Sequence, residues 1–439
     1  MKIKISPSTA LTPTLILRII TMNSAEEARR QKLADYYKGQ HNILYRSMSD
    51  PTKPNNRIVH SYGNYITDTI TGYFMGQPIS YMPKDTEFEA MVDAMREIFE
   101  YNDEQGENVE LAKESSKVGV SYELHYVDND GNPRFKIVDS VRAIPIYDNT
   151  LEENLIYFIR YYNDDLLDMS KRTIEVYDAA TMTTYFQEGE TLSFIDVVPH
   201  AYGMVPVSVF YNNAEELGDY ELVLTLIDAY DKLSSDAVND FENFADAYLK
   251  LSGMMGTQSE DVAAMKENKV LILPEGGQAE WLIKQINDTY FQNTMSGIDQ
   301  DIHKFSKVPN LMDEAFGNNL SGIAIKYKLM GLENKVAVKE AYFKKGLQRR
   351  IELLANIMRL FGNEMSYLGV DIVFKRNIPV NEVEAAQLVQ AIYGIVSDET
   401  ALAQLPFVGD PTAEIEKKLS QFNLNESSII GVENEENTA

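Results

Sequence analysis

Apolar side chains recur at helical spacing along the first part of the chain. A helix is predicted over residues 25–37, with Ser24 as N-cap and Glu26 and Glu27 in its first turn. After the loop "SMSDPTKPNN" the spacing resumes at Arg57 through Ile58, Tyr62, Tyr65, Ile66, Ile70 and Phe74, and stops at Gly76-Gln77-Pro78. Two more helices are expected over residues 87–101 and 108–119. From Ser121 the period drops to two. "SYELHYV", the turn "DNDGNP" and "RFKIVD" read as a hairpin. Strands follow at "LIYFIRYY", "RTIEVYDA", "TTYFQEG" and "SFIDVVPH", and "VPVSVFYNN" is expected to close the sheet region. Helices on either side of a mostly antiparallel sheet define an α+β fold, here mainly helical.

A second helical region starts at Asp219. Val223, Leu226, Tyr230, Leu233, Ala237, Phe241, Phe244, Tyr248 and Leu251 follow one another by steps of three and four. They predict one helix of roughly 34 residues, about 50 Å long. A short helix and two strands joined by "PEGGQ" come next, and a helix over residues 289–306 returns. So small a cap between two helices has no core of its own, so the projection needs neighbours. A joint at Gly317, Asn318 and Asn319 then precedes a helix of some forty residues, with Asn319 or Ser321 as its N-cap.

Charge changes the picture by its distribution. The 439 residues carry 40 basic and 67 acidic side chains, net −27, which by itself argues against a nucleic-acid partner. Between Asp219 and Gly253 eight acids, among them Asp228, Asp231, Asp236 and Asp240, face only Lys232 and Lys250. After Ser321 the sign reverses, with Lys326, Lys328, Lys335, Lys339, Lys344, Lys345, Arg349, Arg350 and Arg359 against Glu333, Glu340 and Glu352. From Asn377 onward Lys417 and Lys418 oppose eleven acids. The ordinary reading of each segment is a solvated helix face.

Candidate chemistry is sparse. The sequence has no cysteine, hence no disulfide, zinc-thiolate site or thiol nucleophile, which suits intracellular assembly. The five histidines lack metal-ligand spacing, and no phosphate loop, dinucleotide fingerprint, His-Glu-x-x-His or nucleophile elbow occurs. "DNDG" at residues 128–131 resembles a calcium loop only superficially, because its glycine falls at the fourth position and Asp139 stands where a glutamate is needed. Asp228, Asp231, Asp236 and Asp240 could hold a metal between helices, but no Glu-x-x-His accompanies them. No enzyme activity and no cofactor are expected. The apolar run near the N-terminus is interrupted by polar residues and is not expected to be a leader. No stretch of about 18 apolar residues is present to span a membrane.

Four segments, "KLADYYKGQHNIL", "NNRIVHSYGNYITDTITGYFMGQPISY", "FGNNLSGIAIKYKLMGLENKV" and "FKRNIPVNEVEAAQL", together resemble the portal proteins of tailed bacteriophages, of the type in long-tailed phages of Gram-positive bacteria. The resemblance runs from about Lys32 to Gln421. It implies a ring, usually of twelve subunits, at one capsid vertex, through which double-stranded DNA is packaged and ejected. It also implies an N-terminal arm over 1–23, a wing over 24–217, a first stem helix over 218–252, a clip over 253–284 and a second stem helix over 285–307. A channel loop over 308–320, a long wing helix with a following strand over 321–376, and a crown with an acidic tail over 377–439 complete the chain.

On this reading Asn310, Met312, Asp313, Glu314, Phe316, Gly317, Asn318 and Asn319 would meet the DNA, with Lys304, Lys307, Lys326 and Lys328 as basic channel positions. Val270, Leu271, Ile272, Leu273 and Trp281 would make clip contacts. The partners implied are the terminase large subunit as ATPase motor, a head–tail connector, the major capsid and scaffolding proteins, and no membrane. Assembly would take place in the host cytoplasm and the product would reside in the virion. Twelve helices side by side, each about 10 Å across, enclose a bore of about 28 Å. A mostly repulsive wall lets a duplex slide, whereas many phosphate contacts would hold it by counterion release. A carboxylate-metal nuclease acting on phage DNA and a head-assembly scaffold without a channel are the alternatives.

Overall fold

A computed structural model describes residues 2–51, 53–163, 171–244, 248–252, 258, 260, 278–282, 288–312, 322–360, 362, 366–377, 382–405, 408 and 411–420. The chain divides into two compact units. One comprises residues 1–310 and 330–376, the other 311–329 and 377–439.

The larger unit is α+β and is built on a six-stranded sheet, in the order β1 (Ile3–Ile5), β5 (Ala143–Asp148), β6 (Leu155–Tyr162), β7 (Lys171–Tyr177), β8 (Thr181–Glu188), β9 (Thr191–Pro199). β1 runs parallel to β5, and every other pair is antiparallel. Strand alternation sorts the side chains into two cores. Ile144, Ile146, Ile159, Tyr161, Ile174 and Val176 face one way and pack on Ile16, Ile19 and Ile20 of helix α1 (Pro13–Tyr37). Ala143, Phe158 and Tyr177 face the other way, onto Val120, Tyr122, Leu124 and Val207 of a second sheet. That sheet has the order β10 (Val207–Tyr211), β3 (Val120–Val127), β4 (Pro133–Val138).

Three expectations are corrected here. The one sheet expected is two, and "VPVSVFYNN" closes this separate one and not the larger. The first helix starts at Pro13 and not near Ala25, with the Thr12 hydroxyl accepting from the Leu15 N–H at 3.3 Å and proline in the first turn. Residues 3–23, expected as an arm, therefore supply a strand and half of the helix that seals one face of the sheet. The hairpin of β3 and β4 stands as read, with Gly131 at φ +87 in its turn and the Asp128 carboxylate accepting from the N–H groups of Asp130 and Asn132.

Helices α2 (Tyr62–Met75), α3 (Glu89–Tyr101) and α4 (Glu104–Val118) flank the sheets, and β2 (Ser80–Pro83) pairs antiparallel with β13 (Val370–Val373). The region after Asp219 departs most from its pattern. The continuous helix expected over residues 218–252 is α5 (Leu224–Phe244), preceded by a 3-10 turn at Glu221–Val223, and Tyr248–Ser252 is strand β11. β11 pairs antiparallel with β12 (Gln278–Leu282), Leu249 lying opposite Trp281. The returning helix α6 (Asp288–Ser306) packs against α5. The two run antiparallel, because Tyr62 touches Tyr230 early in α5 and His303 late in α6, at ring separations of 5.4 and 6.0 Å.

Helix α7 (Gly322–Leu360) spans 39 residues. Leu329, Leu332, Val336, Lys339, Phe343, Leu347, Arg350, Leu354 and Ile357 form a single buried stripe along it. Gly346 lies under the Phe210 ring, where an added Cβ would stand 2.4 Å from a ring carbon. In the smaller unit, α8 (Glu382–Ile392), α9 (Asp398–Leu402) and a helix over 411–420 follow one another. The Ser397 hydroxyl caps α9 by accepting from the Thr400 N–H at 3.3 Å.

Candidate functional site

The body-side ends of α5 and α6 meet α7 at one buried carboxylate. Asp219 accepts from Lys339 Nζ at 3.0 Å, Ser116 Oγ at 2.5 Å, Asn212 Nδ2 at 3.0 Å and Lys335 Nζ at 3.2 Å. Lys335 also donates to the carbonyls of Asp219 at 2.8 Å and Ser306 at 3.0 Å, so one ammonium group ties the start of the outgoing segment to the end of the returning helix. Burial alone would push the Asp219 carboxyl up, but Lys335 and Lys339 outweigh it and hold the group well below the usual carboxylate range.

A second buried network lies further along α7. Arg350 makes a bidentate pair with Glu123, at 2.8 and 2.7 Å, and donates to Glu104 at 3.1 Å. Its guanidinium lies 4.6 Å from the centre of the Phe135 ring. Burial opposes ionisation of Glu123, but Arg350 prevails and lowers that carboxyl, whereas burial dominates at Glu104 and raises it. The network therefore holds a matched ion pair, with Tyr81 and Asn108 bonding Glu104.

These contacts correct the reading of α7 as a basic solvated face. Lys339 and Arg350 are interior, Lys335 is engaged, Lys344 donates to the Ile372 carbonyl at 3.3 Å, and Arg349 pairs with Glu352 at 3.0 Å. Sequence reasoning missed Asp219 and Glu123 as anchors, but a signal for their partners was present. Lys339 and Arg350 sit in the three-four spacing of the apolar stripe, where a solvated cation does not belong.

The acidic face of α5 is likewise occupied. An extended segment over residues 55–60 lies along it as a strap. Asp231 Oδ1 accepts from the His60 N–H at 2.8 Å, Ser235 Oγ from Ile58 at 2.9 Å and Asn239 Oδ1 from Asn56 at 2.7 Å. Asp231 also bonds the buried His41 ring at 2.6 Å, Asp228 bonds Tyr36 at 2.5 Å and Asn42 at 3.1 Å, and Asp236 pairs with Arg46 at 2.6 Å. The acids expected to form a solvated helix face thus hold protein partners, Asp240 included.

The channel positions expected from the sequence fall into three groups. Lys304 and Lys307 are exposed at the end of α6, Lys307 in the left-handed region at φ +63, the conformation that terminates a helix. The chain there is fixed by the Tyr65 hydroxyl donating to the Pro309 carbonyl and His303 Nδ1 to that of Val308, each at 2.9 Å. Asn310 is half-buried. In the smaller unit Lys326 and Met312 are exposed and Lys328 is half-buried. Asp313, Glu314, Phe316, Gly317, Asn318, Asn319 and the cap at Ser321 lie outside the described residues, as do Val270, Leu271, Ile272 and Leu273. Trp281 lies on the expected strand, paired with a partner, β11, that the helical pattern had hidden. Among the described residues no helix is long and apolar enough to cross a membrane, and no group of three or more ligating side chains could hold a metal ion.

The family model for phage portal proteins, SPP1 Gp6-like, matches residues 16–422, and the chain belongs to that family. Its members are ring-forming components of the phage head that meet capsid and DNA, structural in role, and they reside in the virion capsid. The chain is similar to the portal protein of Bacillus phage SPP1, 23% identical over 442 residues, covering 95% of this chain and 86% of the relative. It is also similar to the portal protein of Clostridium phage phiCD119, 23% identical over 440 residues, covering 90% and 93%.

Proposed function

We propose that copies of this chain, twelve to a ring, form the channel at one capsid vertex through which double-stranded DNA is packaged and ejected. The ring assembles in the host cytoplasm and receives the terminase large subunit, a head–tail connector, and the major capsid and scaffolding proteins. The observation that carries this reading is the antiparallel pair α5 and α6, rooted through Asp219 and Lys335 and bearing the paired strands β11 and β12 at its far end. In these terms the pair is the stem, and the clip begins at Tyr248, earlier than the pattern indicated. The body built on the two sheets is the wing, residues 308–320 are the channel loop and residues 377–439 the crown.

The charge arrangement supports passage without retention. Burial takes Lys339 and Arg350 of α7, and Lys335, Lys344 and Arg349 hold partners, so that of the basic positions expected in the channel Lys304, Lys307 and Lys326 stand exposed in an acidic chain. Few phosphate contacts per subunit mean little counterion release and little sequence preference, so a duplex of any sequence can slide. Residues 313–319, with Gly317 between Phe316 and two asparagines, would follow the moving duplex.

Electron microscopy of the purified protein tests the reading. Rings with an open bore of about 28 Å are expected, wide enough for a duplex. Particles without a channel would favour the scaffold alternative. If rings form, a virus lacking residues 313–318 should assemble them normally and package less DNA. Undiminished packaging would remove the loop from the bore.

A further inference from the structure

We infer that the β8–β9 hairpin is a contact between neighbouring copies of this chain, made by packing its exposed apolar face and edge against the next subunit. The inference rests on the ring proposed above and adds to it a surface that the family assignment does not specify.

β9 is the last strand of the six-stranded sheet, and it extends past the layers that cover β5 to β7. Leu192 still reaches the core under α1. Beyond it Phe194, Ile195, Val197 and Val198 are 61, 53, 47 and 44% exposed. The register explains how one short strand shows apolar side chains in several directions. Phe194 lies opposite Tyr185 and Asp196 opposite Thr184, so Ile195 is an extra, bulged residue. Phe194 and Val197 then share the face of Tyr185, while Val198 stands opposite Met182 on the other. Phe194 meets the Tyr185 ring edge-on at 6.1 Å, and about half of each of the four side chains stays exposed among the described residues.

An edge of this kind invites association unless it is guarded. The bulge and Asp196 guard β9 against simple strand addition, since both interrupt a regular ladder. They do not guard the side chains, so the contact expected is packing and not a seventh strand.

A second copy is the occupant that fits. A closed ring uses two unlike surfaces of each subunit, and opposite margins of one sheet provide them. Copies with net charge −27 repel wherever their acidic surfaces approach, yet residues 191–199 carry a single charge. The hairpin tip is acidic, with Glu188 and Glu190, whereas the opposite margin at β1 carries Lys2 and Lys4, both paired with Glu153.

The test places a photo-crosslinking amino acid at position 195 in rings assembled from mixed isotope-labelled and unlabelled full-length chains. Mixed-isotope peptide pairs are the expected result. Cross-links only within one chain, for instance to residues 421–439, only to capsid protein in proheads, or none at all in intact rings would overturn the inference. A second arm uses Val197→Lys, an exposed position whose change leaves the core alone. Ring assembly should weaken by about tenfold or more in protein concentration, with the monomer's thermal unfolding unchanged. Rings as stable as the parent's would count equally against it. An unmodified chain that forms no rings would overturn the portal reading itself, a result separable from both arms.

Discussion

Two cations in the buried stripe of α7 decide how the body holds its shape. Arg350→Met leaves the Glu123 carboxylate buried without its bidentate partner, and a loss of about 3–5 kcal/mol is expected in urea unfolding. Adding Glu123→Gln should restore part of that loss, because removing both charges costs less than stranding one. If the double variant is no better than the single, the ion pair is not what the site needs. Asp219 makes a complementary prediction in acid. Its carboxyl is held down in the folded chain, so near the ordinary value of about 4 the unfolded chain binds the extra proton. The stabilisation is present above that pH and is lost as pH falls toward the depressed folded value. Asp219→Asn should be less stable at neutral pH and lose stability less steeply between about pH 4 and 3. A parallel acid slope would assign the effect to other carboxylates.

Among the elements, the strap along α5 makes the sharpest claim. Ser235→Ala removes the acceptor of a part-buried N–H and should cost about 1 kcal/mol. The change should appear locally, as faster amide exchange at Ile58, while amides of β3 keep their protection. The same scale shows what could be read in advance. The hairpin of β3 and β4 was legible because its alternation and its Asp-Gly turn are both local. The strand β11 was not, since Tyr248 and Leu251 extend the helical spacing of α5 while "YLKLS" also alternates, and its partner β12 is some thirty residues away. The start of α1 was missed although Ile16, Ile19 and Ile20 keep helical spacing, because Ser24 ahead of Glu26 and Glu27 carries the pattern of an N-cap in mid-helix. The basic face of α7 misled because charge was counted along the segment, not placed on the stripe.

At the level of the whole molecule, burial removes several acids from the surface but leaves the net charge of −27 to be managed between copies. Salt screens that repulsion over about 10 Å at 0.1 M. The ring fraction at fixed protein concentration should therefore rise from low to moderate salt, as read by sedimentation velocity. Rings that dissociate over that range would show that cross-subunit ion pairs, and not apolar packing, hold them together.

The strap also sets its own length, as a vernier does. Its rungs join every second residue of an extended chain, about 6.6 Å apart, to every fourth residue of a helix, about 6.0 Å apart. The two scales drift by about 0.6 Å per rung, so three hydrogen bonds can be kept and a fourth would fall near 2 Å out of step. The sequence ends the scale where the drift would. The position two before Asn56 is Pro54, which has no N–H to leave unpaired, and the residue four before Asp231 is Ile227, which has no acceptor to offer. A one-residue deletion between Pro54 and Asn56 would leave the three rungs in place, whereas one between Asn56 and His60 would misalign at least one of them.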